Sequence, residues 1–275
     1  METFLSTVHY WLVDHPTINQ YEWKEGQTFG SSPLFVAVTV VSYLSVTLFL
    51  HRFAVLPDLS SSALRHASAA HSMVLCLLSL AMAVGCSLAT LHQMPPSHGG
   101  WRWVVCFPAA ATVPRGPVFF WAYVFYLSKI LEFIDTLLIL LSGSRSRRLS
   151  FLHVFHHAAV LVASYNMLAT AQSLLPLGVV TNAAVHVLMY AYYFLSALGH
   201  RPRWKKLVTD CQIIQFVFGL MMSGLMLYYH FTTGSGCSGI WAWFFNIVFV
   251  ALLLTMFLDF HSTNYSSKKR KDHDN

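Results

Sequence analysis

Charge is what this chain has least of. Only 10% of its 275 residues are Asp, Glu, Lys or Arg, while 56% are apolar and the mean hydropathy is +0.54. A soluble domain carries about 25% charged residues, so a water-soluble enzyme or binding module is excluded. The net charge of +6 is not a nucleic-acid signal, because the basic residues fall between apolar runs, where they report topology. A cleavable signal peptide is missing too: the first 32 residues carry Glu2, Asp14, Glu22 and Glu25 instead of a basic start and a short apolar run. Targeting then falls to the first span. No short tandem repeat and no appended soluble domain is visible.

What is present is hydrophobic length. Runs of about 20 apolar residues, each enough to cross a hydrocarbon core of about 30 Å, recur at 33–51, 67–91, 117–142, 149–171, 174–198, 206–231 and 239–260. A lipid-exposed backbone must satisfy its own hydrogen bonds, which makes these spans helices. The expected fold is therefore all-α, a polytopic membrane protein with seven transmembrane helices over residues 33–262. It is flanked by a Trp- and Tyr-containing interfacial leader at 1–32 and a basic tail at 263–275. The loop at 92–116, with MPPSHGG and further prolines, reads as irregular.

Basic residues in short loops stay cytosolic. An outside N-terminus leaves Arg52, Arg65, Arg145, Arg147, Arg148, Arg201, Arg203, Lys205, Lys206, Lys268, Lys269, Arg270 and Lys271 inside. Lys24, Arg102 and Arg115 are then outside. That asymmetry supports an odd span count and a cytosolic C-terminus. Cysteine is sparse, five in all. Cys76, Cys86 and Cys211 lie in spans, while Cys106 and Cys237 lie in outside loops, where an oxidising lumen lets them pair; a disulfide between them is expected.

Against this background, intramembrane polar residues stand out, since charge in lipid costs about 2.5 to 3.5 kcal/mol per residue on insertion scales. Span three contains KILEFIDT, with Lys129, Glu132, Asp135 and Thr136; span four contains HVFHH, with His153, His156 and His157. Span five contains NAAVHVLMYAYY, with Asn182, His186, Tyr190 and Tyr193 in a stripe and Tyr192 to one side. Span six contains TDCQIIQ, with Thr209, Gln212 and Gln215. Spacings of three and four put each set on one helix face, and a shared interior cavity satisfies them together. At 1.5 Å per residue the histidine box and the glutamines lie roughly 6 to 14 Å from the cytosolic side. The lumenal half is expected to be apolar, a shape suited to a polar head and a long acyl tail. A rim of Arg145, Arg147, Arg148, Arg203, Lys205 and Lys206 suits coenzyme A phosphates.

Clustered histidines admit two chemistries. Di-iron membrane desaturases and hydroxylases spread roughly eight histidines over several boxes. This chain has no second HxxHH, and His71 and His230 are expected to be remote. A single metal held by three histidines and a carboxylate stays open as the alternative, a metal-dependent oxygenase or desaturase. The other chemistry is covalent: an imidazole attacks a thioester and passes the acyl group on, while a neighbouring His or carboxylate moves the proton. A seven-span receptor or transporter, the third reading, places no demand on His156.

KILEFIDT, HVFHH, NAAVHVLMYAYY and TDCQIIQ, in that order on consecutive spans, resemble the ELO family of very-long-chain fatty acid elongases, the 3-ketoacyl-CoA synthases. The resemblance implies decarboxylative condensation of malonyl-CoA with fatty acyl-CoA in the endoplasmic reticulum membrane, without a resident cofactor or metal. Partners would be the ketoacyl reductase, dehydratase and enoyl reductase of the cycle. It implies six helices around an acyl tunnel and a peripheral first span. It assigns His156 as nucleophile, His186 as proton-transfer partner, and His153 and His157 as orienting groups. Asn182, Tyr190 and Tyr192 would line the site, and Lys129, Glu132 and Asp135 would support it or bind coenzyme A. HAAVLVASYNML is similar to the branch handling saturated and monounsaturated chains, whereas KKRKDHDN departs from the family's dilysine ending.

Overall fold

The computed structural model describes residues 2–53, 61–96, 99–109, 111–142 and 149–266. Among them there is no β-strand, only the isolated bridges Glu22 to Arg115 and Pro108 to Cys237. Helix α1 (Glu2–His9) runs on through a wider turn at Tyr10–Asp14, followed by α2 (Pro16–Asn19), α3 (Pro33–Phe53), α4 (Ser61–Gln93) and α5 (Gly100–Val105). Then come α6 (Pro117–Leu131), α7 (Phe133–Leu140), α8 (Phe151–Ala169), α9 (Leu175–Ala197), α10 (Lys205–Thr232) and α11 (Ile240–His261). Six of these, α3, α4, α8, α9, α10 and α11, are long and apolar enough to cross a membrane, and the protein is a multi-pass membrane protein.

The expected third span, 117–142, is not one rod. It divides at Glu132 into α6 and α7, with the Asp135 amide bonded back to the Glu132 carbonyl at 3.0 Å in a tightened turn. Neither proline nor glycine breaks the segment, so apolar periodicity alone carries no mark of the interruption.

Helix starts follow local chemistry. Pro117 opens α6, where its missing N–H costs nothing. Ser150 caps α8, its hydroxyl accepting from the His153 amide at 3.2 Å, which seats the histidine box on the first turns of that helix. Helix α4 lies along α9 for most of its length and also packs on α6. At the α4–α6 crossing a Cβ on Gly85 would sit 2.2 Å from the Trp121 ring, so only glycine permits that approach. The leader is strapped to the bundle: Trp121 donates to the Leu12 carbonyl at 2.9 Å, and the hydroxyls of Tyr123, Tyr126 and Tyr165 donate to the carbonyls of Phe29, Gly30 and Ser31. Outward-facing side chains such as Leu34, Val41, Met221 and Trp241 are exposed and apolar, as lipid contact requires.

Candidate functional site

The helix break places two charges in the protein interior. Lys129 and Glu132 are each about 1% exposed, and Lys129 Nζ lies 2.6 Å from Glu132 Oε1. The ammonium also reaches Asn182 Oδ1 on α9 at 3.4 Å and sits 4.3 Å over the Phe125 ring. A buried pair is tolerable only when such partners satisfy the rest of both groups. The other Glu132 oxygen has no hydrogen bond, yet His157 Nδ1 lies 3.9 Å from it, and His186 Nε2 is 3.9 Å from Oε1. One carboxylate thus gathers side chains of α6, α8 and α9.

His186 Nδ1 is 2.8 Å from the Asn182 carbonyl oxygen. A carbonyl only accepts, so Nδ1 carries the proton and Nε2 presents its lone pair toward Glu132. His156 is the contrast. Its Nδ1 is buried with no hydrogen-bond partner, its ring lies over Phe249 with 6.3 Å between centroids, and it opens on a cavity. That cavity, about 150 Å³, runs between α6, α8, α9, α10 and α11. His156, Asn182 and Gln215 stand at one end, and Val160, Ala163, Gly178, Gly219 and Met222 line its middle.

Two further chains of contact reinforce the histidine end. His153 Nε2 meets the Thr136 hydroxyl at 2.9 Å, and Thr136 meets the Tyr43 hydroxyl at 3.0 Å, with the Tyr43 ring stacked on Phe133 at 4.0 Å. Helix α3 therefore does not line the cavity, but it does support the box from behind. Tyr190 donates to Asp135 Oδ2 at 2.8 Å, and His71 Nε2 lies 3.2 Å from Asp135 Oδ1. Here His71 differs from expectation: it is not remote, because α4 crosses α7 at that level. His230 is distant, accepting from the Cys237 amide at 2.9 Å.

The remaining expected residues disperse. Tyr192 packs edge-on against Trp204 and does not line the cavity. Gln212 reaches only the Met189 sulfur, at 3.8 Å. Lys205 is exposed, Lys206 pairs with Asp210 at 2.8 Å, and Arg145, Arg147 and Arg148 lie outside the described residues. Cys106 and Cys237 are joined, with their Cα atoms 5.0 Å apart. As for a metal, the three side chains among the described residues that bring ligand atoms within 4.8 Å of one another are His9, Asp14 and His92, away from the histidine box.

The other end of the cavity corrects the expectation of an apolar half. Gln172, Trp243 and Asn246 line it, Asn246 Nδ2 donating to Gln172 Oε1 at 2.6 Å. Hydropathy averaging over α11 hides one amide among many hydrocarbons. The Gln172 loop is fixed in turn by a seam beside the disulfide. The Ser173 amide donates to the Ser238 carbonyl, the Ser238 amide to the Phe107 carbonyl, and the Phe107 amide to the Ser173 hydroxyl. A Cβ on Gly239 would lie 2.5 Å from Gln172 Cα, so the last helix starts hard against this loop.

Comparison with known proteins fits an acyl-handling membrane protein with a buried histidine box. The family model of ELO, the GNS1/SUR4 family, matches residues 28–273, and the chain belongs to that family. It is 30% identical to a fatty acid elongase 3-like protein of Arabidopsis thaliana, over 97% of this chain and 94% of that one. It is 34% identical to fatty acid elongase A of Dictyostelium discoideum, over 92% of this chain and 93% of that one. To very long chain fatty acid elongase 5 of Mus musculus it is 33% identical over 54% of this chain and 50% of the other.

Proposed function

We propose that the chain is the condensing enzyme of fatty acid elongation, joining a long-chain acyl-CoA to malonyl-CoA. The observation that carries this reading is His156, a buried imidazole with an unpartnered nitrogen at one polar end of a cavity whose middle is apolar. In the first half-reaction that imidazole attacks the thioester carbonyl. An acyl-imidazole forms, the carbon–sulfur bond breaks, and the proton released by the imidazole goes to the departing coenzyme A thiolate through His186 Nε2. Glu132 balances the transient positive charge on His186 and His157. In the second half-reaction malonyl-CoA loses carbon dioxide, and its enolate attacks the acyl carbon and expels the imidazole. The products are 3-ketoacyl-CoA, carbon dioxide and free coenzyme A, with one proton consumed.

Since Lys129 only donates, its contact with Asn182 Oδ1 leaves the Asn182 NH₂ for the acyl oxygen as charge develops there. His153, held by Thr136, keeps the box in register, and Tyr190 and Asp135 brace α9 against α7. The cavity is the tunnel for the acyl chain, α6 and α7 together make the seventh span, and the N-terminus is lumenal in the endoplasmic reticulum. The exposed bases Arg203 and Lys205 meet coenzyme A, and Gln215 lines the approach. Substrates are saturated or monounsaturated acyl chains. No resident cofactor takes part, and the ketoacyl reductase, dehydratase and enoyl reductase complete the cycle. The test is incubation of membranes carrying the full chain with acyl-CoA alone, followed by intact-mass analysis. Acyl adduct on His156, discharged by malonyl-CoA, is expected; extension that proceeds undiminished in His156→Ala would overturn the assignment.

A further inference from the structure

Two residues lining the far end of the cavity carry buried polar atoms that nothing among the described residues satisfies. Trp243 Nε1 and Asn246 Oδ1 are buried without hydrogen-bond partners, and both residues line the cavity. They sit three apart on α11, hence on one face. Gln172, 3% exposed, closes that face by accepting from Asn246 Nδ2 at 2.6 Å. An indole N–H only donates and a carboxamide oxygen only accepts. Hydrocarbon pressed against this pair leaves both unpaired in a medium without water, which is unfavourable. A water meets both needs, and so does any group that both donates and accepts. A hydroxyl replaces that water without losing its bonds, whereas a methyl end displaces it with nothing in return.

We propose that this end of the cavity recognises a hydroxyl at the ω carbon of the acyl chain, making ω-hydroxyacyl-CoA a substrate class of the enzyme. The inference rests on the condensation reading for the direction in which the chain enters: thioester at His156, ω end at Trp243 and Asn246. From His156 to Met167, α8 climbs about 16 Å along the cavity wall, so only chains long enough to span that distance feel the difference.

The full chain in membranes, given labelled malonyl-CoA and a ladder of saturated acyl-CoAs with their ω-hydroxy counterparts, tests this. Once the chain reaches the far end, kcat/KM for the hydroxylated member is expected to exceed that of its plain partner about tenfold or more; shorter pairs show parity. In Trp243→Phe and in Asn246→Leu the ratio falls toward one. Because the ratio is taken within each variant, altered expression or folding cancels. Parity at every length, or a preference that both variants keep, overturns the proposal. A second readout does not need turnover: the ω-hydroxy fatty acid should raise the Tm of the solubilised full chain more than the unsubstituted acid of equal length, and Asn246→Leu should abolish the difference. If no acyl-CoA is extended at all, the condensation reading fails, and the thermal comparison still decides the site, equal shifts counting against it.

Discussion

The two ends of the cavity are held by different means. At the histidine end the polar groups ride on helices and bind one another across the bundle: Lys129 to Glu132 and Asn182, Thr136 to Tyr43 and His153, Asp135 to Tyr190 and His71. At the amide end no charge is used. A loop carrying Gln172 is fixed by backbone bonds and a disulfide, and two residues lining the cavity, Trp243 and Asn246, carry buried polar atoms without partners among the described residues. The difference teaches that the histidine cluster is positioned by helix packing alone, whereas the far end of the cavity depends on a loop held against the start of α11. A change at one end should therefore leave the property governed by the other measurable.

The sharpest division is expected from His156→Ala. Loss of the proposed nucleophile should lower the proposed condensation by about a thousandfold or more while the protein stays folded, since His156 Nδ1 has no hydrogen bond to lose; near-normal labelled-malonyl incorporation would erase the contrast. Next in size is Glu132→Ala, which strands the Lys129 ammonium in the interior and should cost roughly 3 to 5 kcal/mol, read as a lowered Tm in detergent. The double change Lys129→Met with Glu132→Leu should recover much of that loss, and a single variant as stable as the parent would refute the account. Replacing Cys106 and Cys237 with serine opens a link between residues 131 apart. It should cost about 2 to 5 kcal/mol and broaden the product lengths while the acyl adduct on His156 still forms; an unchanged product profile would detach the seam from the cavity floor. The smallest effect belongs to Tyr43→Phe. It removes one interhelical bond to Thr136, worth about 0.6 kcal/mol in a membrane protein, so kcat should fall less than threefold, and a larger drop would promote Tyr43 from support to chemistry.

The histidine end was legible in the sequence because charged and imidazole side chains at spacings of three and four are conspicuous in an apolar run, and lipid forces the run to be helical. Which group each would meet was not. His71 faces Asp135 only because α4 crosses α7 at that height, and helix crossings leave no trace in a single helix's periodicity. The break at Glu132 was likewise hidden, and so was the amide end. Trp243 counts as one more aromatic in an apolar helix, Asn246 is a single polar residue there, and Gln172 reaches them from a loop. Where side chains carry function through a loop's position, composition and spacing are silent.

The seam that ties Phe107, Ser173 and Ser238 joins three hairpin connections made at well-separated times as the chain emerges. Every histidine of the box has been synthesised before Cys237 exists to bond Cys106. A nascent molecule accordingly holds all three box histidines while the cavity still lacks the wall that α11 brings, Phe249 beside His156 included, and the enclosure is complete only when that final helix has arrived.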